Sequence, residues 1–191
     1  MRIPQVTFAA TMLAIVLFLP GCSPSSIIAE HQSAHPSTNV ADSGFSSSDI
    51  MFAQMMIPHH RQAIDMSLLA QTRTTNPEIL ALADAIRSAQ GPEIDQMSRW
   101  LTNAGASMDM GHSMHMDGVL SDDDMSALDR ASGAEFDRLF LEGMIGHHQG
   151  AITMAKMIVD SANPEVATLG KNIVISQSQE IELMKRLLNE L

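Results

Sequence analysis

Met56-Ile57-Pro58-His59-His60-Arg61-Gln62-Ala63-Ile64-Asp65-Met66 returns 88 positions later as Met144-Ile145-Gly146-His147-His148-Gln149-Gly150-Ala151-Ile152-Thr153-Met154. The match resumes at Asn76-Pro77-Glu78 against Asn163-Pro164-Glu165. It continues with Ile86, Gln90, Glu93, Ile94 and Met97 against Ile173, Gln177, Glu180, Ile181 and Met184, now displaced by 87. Self-similarity at a fixed spacing is the signature of a duplicated supersecondary unit, and the one-residue change falls where a loop absorbs it.

Within each unit the apolar period is helical. Phe52, Met56, His59, Ala63, Met66 and Ala70 step by 4, 3, 4, 3, 4, as do Phe140, Met144, His147, Ala151, Met154 and Ile158. That is one face of an α-helix. The second half of each unit carries the row Ile86, Gln90, Glu93, Met97 and Trp100, matched by Ile173, Gln177, Glu180, Met184 and Leu187. Asn76 and Asn163 are helix N-caps with Pro77 and Pro164 in the first turn, where no N–H is needed. Ser132-Gly133-Ala134-Glu135 has the form of a capping box. Helices are predicted at about 48–73, 77–103, 133–161 and 164–190, with a short extra helix over Ser121 to Asp129. The fold class is all-α: a four-helix bundle made of two repeated helical hairpins joined by residues 104–131.

Composition bounds the function. The chain has 191 residues, 11 Lys and Arg against 22 Asp and Glu, and a formal net charge of -11. Such a chain is not built to neutralise nucleic-acid phosphates, and no nucleic-acid partner is expected. It has 16 Met, one Cys and no Tyr. A disulfide framework within one chain is therefore excluded. The excess of Met has two readings, since thioether sulfur is both a flexible core filler and a soft metal ligand.

The beginning of the chain reads as a signal peptide over residues 1–21, with an apolar stretch from Val6 to Leu19 too short for a confident membrane span. Leu19-Pro20-Gly21-Cys22 resembles a bacterial lipobox, although Pro20 departs from the small or β-branched residue usual there. Cys22 is the expected lipidation site, anchoring the protein to a membrane at the periplasmic face of the cell envelope. Without lipidation it would be secreted or periplasmic. Residues 22–47, rich in Ser, Pro and His, read as a flexible tether, and the folded part as 48–191.

Charged groups enter the seams. Glu93 and Glu180 stand on the rows of the second and fourth helices, as His59 and His147 do on the first and third, and a buried carboxylate needs a partner or a metal. Two explanations remain open. One is a metal site using imidazole and carboxylate with Met56, Met144, Met97 or Met184 adding sulfur. The other is a His, Glu and Gln hydrogen-bond network that sets the register of the two hairpins. The connector is more specific: Met108, Met110, His112, Met114, His115 and Met116 alternate with small or acidic residues and form no face that a helix or strand would bury. Thioether and imidazole donors in such a tract suit Cu(I) or Ag(I).

The doubled Met-x-x-His-His-x-x-Ala-Ile-x-Met core, each followed by Gln-x-x-Glu-Ile-x-x-Met, resembles the domain of unknown function 305 family over about residues 48–190. The resemblance implies a ferritin-like four-helix bundle, and some members are exported copper-binding proteins linked to copper tolerance. By position it implies His59, His60, His147 and His148 with Met56 and Met144 as ligands, and Pro58 and Gly146 as points where the helix loosens before each His pair. The Glu and Glu-x-x-His set of di-iron bundles is missing, which disfavours ferroxidase chemistry.

The function expected is therefore binding rather than turnover: an exported, lipid-anchored protein that sequesters Cu(I), with Cu(II) or Ag(I) as further cargoes, or passes it to an envelope copper-handling partner. A rival is a redox enzyme with Fe, Mn or Cu held by His59, His147, Glu93 and Glu180. A third reading is a metal-free bundle that is structural or binds a protein partner.

Overall fold

A computed structural model describes residues 43–110 and 116–191. The signal peptide, Cys22, most of the tether, and His112, Met114 and His115 of the connector lie outside the described residues. Five helices are present and no strand is found among the described residues: α1 (Ser47–Arg73), α2 (Pro77–Asn103), α3 (Asp122–Arg130), α4 (Ala134–Ala155) and α5 (Pro164–Glu190). The short α3 is the extra helix expected in the connector. No described helix is long and apolar enough to cross a membrane.

The helix starts follow from side-chain chemistry. Ser46 and Asp49 satisfy each other's backbone N–H groups at the start of α1, and Ser121 and Asp124 do so at α3. Asn76 Oδ1 accepts from the Glu78 N–H at 3.0 Å, and Asn163 Oδ1 from the Glu165 N–H at 3.0 Å. The capping box predicted at Ser132 does not form. Gly133 is the N-cap of α4, with φ 58°, and its N–H donates instead to the Arg73 carbonyl at 2.7 Å. Glycine accepts that left-handed backbone without a steric penalty, and its N–H ties the start of α4 to the end of α1.

Two further boundaries differ from the sequence reading. α4 ends at Ala155 rather than 161, because the chain tightens into i→i−3 bonds, Met157 N to Met154 O at 3.0 Å and Ile158 N to Ala155 O at 3.1 Å. Ile158 is thereby packed beside Gly170, where an added β-carbon would lie 2.9 Å from Ile158 Cγ1. At the other end, Phe45, assigned to the tether by sequence, packs on Trp100 with ring centroids 5.9 Å apart. Asn163 Nδ2 also donates to the Gly44 carbonyl at 3.0 Å.

α1 pairs with α2 and α4 with α5 as two antiparallel hairpins, and α1 packs on α4. The interior holds two apolar cores. One contains Phe52, Met56 and Ile57 of α1, Met97, Trp100 and Leu101 of α2, Ala151 and Met154 of α4, and Val166 and Ile173 of α5. The other contains Ala63, Met66 and Ala70, then Ile79 and Ile86, then Phe136, Phe140 and Met144, then Met184 and Leu187. Repeat-related residues exchange places: Met56 and Met97 of the first unit share a core with Met154 of the second, while Met144 and Met184 share one with Met66. That exchange requires α1 and α4 to run antiparallel, with the hairpins related by an approximate two-fold axis.

Candidate metal centre

On every long helix the switch from one core to the other falls at the polar residues of the repeat. His59 and His60 lie between the two apolar sets on α1, Gln90 and Glu93 on α2, His147 and His148 on α4, and Gln177 and Glu180 on α5. The bundle thus carries one polar layer sandwiched between two apolar cores. All four histidines are fully buried at 0% exposure, so neither member of a pair points outward.

The four rings have unequal partners. His60 Nε2 lies 2.7 Å from Glu93 Oε2, and His148 Nε2 lies 2.6 Å from Glu180 Oε2. His59 and His147 face each other across the hairpin interface with ring centroids 3.7 Å apart and planes tilted by 41°. Neither ring nitrogen of His59 or His147 has a well-aligned hydrogen bond, and the Nδ1 atoms of His60 and His148 have none either. The gathering of His59, His147, Glu93 and Glu180 that the rival redox reading needs is not on display: each Glu sits on the second His of its pair. Among the described residues, no three His, Cys, Asp or Glu side chains converge as a metal cage.

Burial sets the charge of the stacked pair. Loss of solvent, together with the nearby His60 and His148, pushes the His59 pKa down to about 3 against the pull of the Asp117 backbone carbonyl. Loss of solvent and the neighbouring His59 hold His147 well below 6.5. Both are neutral at physiological pH, the form in which imidazole is a ligand. Buried polar nitrogens that lack a well-aligned hydrogen bond each cost about 1–3 kcal/mol, and the imidazoles of this layer hold six.

The thioethers divide by environment. Met56 and Met144 are fully buried one turn before His59/His60 and His147/His148 respectively. Met108 is 46% exposed, whereas Met110 and Met116 pack against the core that holds Met55 and Met56. α1 and α4 continue through Pro58 and Gly146 without the interruption that these residues suggest.

Sequence reasoning missed how the connector is tied down. Gln54 Nε2 donates to the carbonyls of Ser107 at 2.9 Å and Asp109 at 3.3 Å. Gln62 grips Leu120 twice, donating to its carbonyl at 2.9 Å and accepting from its N–H at 2.8 Å. Asp117 and Gly118 then lie in a notch on α4, since a β-carbon on Gly150 would collide with the Asp117 carbonyl and one on Gly118 with the Gly146 carbonyl. The connector therefore straps the polar layer on both flanks of its Met/His tract. A signal was present in the repeat. Gln62 and Gly150 are equivalent positions, as are Pro58 and Gly146, and the copies differ where a connector present only once must cross them.

Residues 49–188 match the family described as Domain of unknown function (DUF305). The chain belongs to this family. An uncharacterized protein, L153, of Acanthamoeba polyphaga mimivirus is 46% identical over 55 residues, and the matched stretch spans only 36% of that protein's length. A DUF305 protein from Streptomyces coelicolor, described as secreted, is 32% identical with a TM-score of 0.72, over 75% of this chain and 93% of that one. CopM in its Cu(I)-bound form is 34% identical with a TM-score of 0.64, over 74% of this chain and 96% of its own. CopM has also been solved in Cu(II)-bound and silver-bound forms.

Proposed function

We propose that this DUF305 chain binds copper as cargo, Cu(I) first, with Ag(I) and Cu(II) as further ions, and sequesters it or hands it on at the cell envelope. The carrying observation is the polar layer: six buried imidazole nitrogens without a well-aligned hydrogen bond between two apolar cores. A fold keeps such a costly layer where a ligand or a function offsets it. Likeness to CopM, which binds copper and silver, supports the choice of ion.

In this reading the exposed Met108, with Met110, His112, Met114, His115 and Met116, captures the soft ion. His59, His60, His147 and His148 hold it, with Met56 and Met144 supplying sulfur. The stacked His59 and His147 are already neutral, so an ion displaces no proton from them at neutral pH. Export and attachment of the acidic domain to the membrane through lipid on Cys22 complete the proposal, and the description of the Streptomyces relative as secreted is consistent with a site outside the cytoplasm.

The test is titration of the purified protein with Cu(I) against a competing chelator, with zinc and iron as controls. Tight, Cu(I)-selective uptake is expected. Retention of iron or manganese with oxidase turnover and no Cu(I) uptake would replace this reading with a redox centre, and indifference to every metal would leave a structural bundle.

A further inference from the structure

The two carboxylates of the layer occupy a distinct position. Glu93 and Glu180 come from different hairpins, and each approaches the same atom, Nε2, of the second histidine in its pair, at 2.7 and 2.6 Å. In both copies the remaining nitrogen, Nδ1, is buried and without a partner. The burial is graded as well: the histidine side chains are 0% exposed, while Glu93 and Glu180 keep 18% and 20% of theirs in solvent. Each carboxylate therefore stands between water and the ring, and the bare nitrogen is on the dry side.

An ionised carboxylate only accepts, so the ring nitrogen it touches carries the proton; in a neutral imidazole the lone pair is then on the other nitrogen. Metal-binding histidines are oriented in this way by a carboxylate on the non-ligating N–H. A pair that served only to hold register would be complete with the Nε2 bond, and would gain by placing Nδ1 against a donor or in solvent. Here Nδ1 is left bare in both copies, and the His147 and His148 ring centroids are 6.3 Å apart.

We infer that Glu93 and Glu180 are positioning residues rather than metal ligands, each holding the proton of its histidine on Nε2 and presenting Nδ1 of His60 or His148 as the metal-binding atom. This rests on the copper reading above, and it specifies which atoms of that site bind.

Nitrogen-15 NMR of the labelled protein reads the tautomers before any metal is added, and Ag(I) then serves as a diamagnetic probe. His60 and His148 are expected to be protonated at Nε2 and bare at Nδ1, and Ag(I) to shift Nδ1 while Nε2 stays protonated. In Glu93→Gln with Glu180→Gln, whose amides can donate as well as accept, the Nε2–H preference weakens and Cu(I) affinity falls roughly ten- to a hundredfold. Glu93→Asp with Glu180→Asp, retaining the carboxylates, is expected to recover part of that loss. A shift at Nε2, protons on Nδ1 in the metal-free protein, or full affinity in the folded Gln variant overturns this inference alone. A protein that takes up neither Cu(I) nor Ag(I) overturns the copper reading together with it.

Discussion

His59 and His147, 88 positions apart in sequence, meet at the crossing of the two hairpins with ring centroids 3.7 Å apart and no well-aligned hydrogen bond on their four nitrogens. Burial, with the neighbouring imidazoles, keeps both rings neutral.

Stability is expected to fall as the pH drops below about 6.5. The pKa of His59 is lowered to about 3 and that of His147 lies well below 6.5 in the folded protein. The unfolded chain then binds more protons than the folded one between those values, so the stability these groups allow is complete above the unfolded pKa and is lost through the window below it. Each histidine contributes a slope of about 1.4 kcal/mol per pH unit there. Chemical denaturation of metal-free protein at pH 7 and pH 5 checks this, and a midpoint that does not fall would mean that the rings are protonated or solvated.

Replacing the pair should separate folding from binding. His59→Leu with His147→Leu removes four buried nitrogens that lack a well-aligned hydrogen bond and fills similar volume, so the metal-free protein is expected to gain about 1–2 kcal/mol in unfolding free energy. The pH slope should flatten, and Cu(I) affinity should fall at least tenfold. Loss of stability in this variant would show that the imidazoles hold the layer together.

Gly146 and Gly150 give opposite outcomes for one chemical change. A β-carbon at Gly146 meets nothing within 4 Å, whereas one at Gly150 meets the backbone of Asp117. Gly146→Ala should stabilise the protein by roughly 0.5–1 kcal/mol through helix propensity. Gly150→Ala should destabilise it by about 1–3 kcal/mol, as the strap is forced off α4. Thermal unfolding of the two variants reads the difference directly.

The Gln62 clamp can be removed without touching an imidazole. Gln62→Ala deletes both bonds to Leu120 at an expected cost of about 1–2 kcal/mol. The Leu120 amide should lose hydrogen-exchange protection while amides inside α2 and α5 keep theirs. Unchanged protection at Leu120 would mean that the notch at Gly150 alone seats the strap.

In the connector, Met108→Leu, Met110→Leu, Met114→Leu and Met116→Leu together are expected to weaken Cu(I) binding with no loss of helicity by circular dichroism. Met108 is exposed, and Leu fits the apolar surroundings of Met110 and Met116. Full affinity in this variant would remove the connector from the binding path.

Much of the architecture is legible from local pattern. The 3.6-residue period, the Asn76-Pro77 and Asn163-Pro164 starts and the duplicated units specify four long helices in two hairpins, because these features depend on contacts within a few residues. The start of α4 was less legible: its N-cap is Gly133, whose N–H donates to the Arg73 carbonyl, some 60 positions away in sequence. Beyond the early end of α4, Ile158 packs against Gly170 of α5.

Periodicity also marked His59, His147, Glu93 and Glu180 as polar residues on apolar rows, and chemistry marked the Met/His tract. It did not say which groups meet. A heptad row specifies which way a residue faces but not what comes from the other hairpin to meet it. The antiparallel crossing of α1 and α4 stacked His59 on His147, while packing within each hairpin gave Glu93 to His60 and Glu180 to His148. Residue types and helical phase are local properties, written in the sequence by itself. The polar layer, its bare nitrogens and the strap across it are products of contacts between segments far apart in the chain, and only the folded tertiary structure brings those segments together.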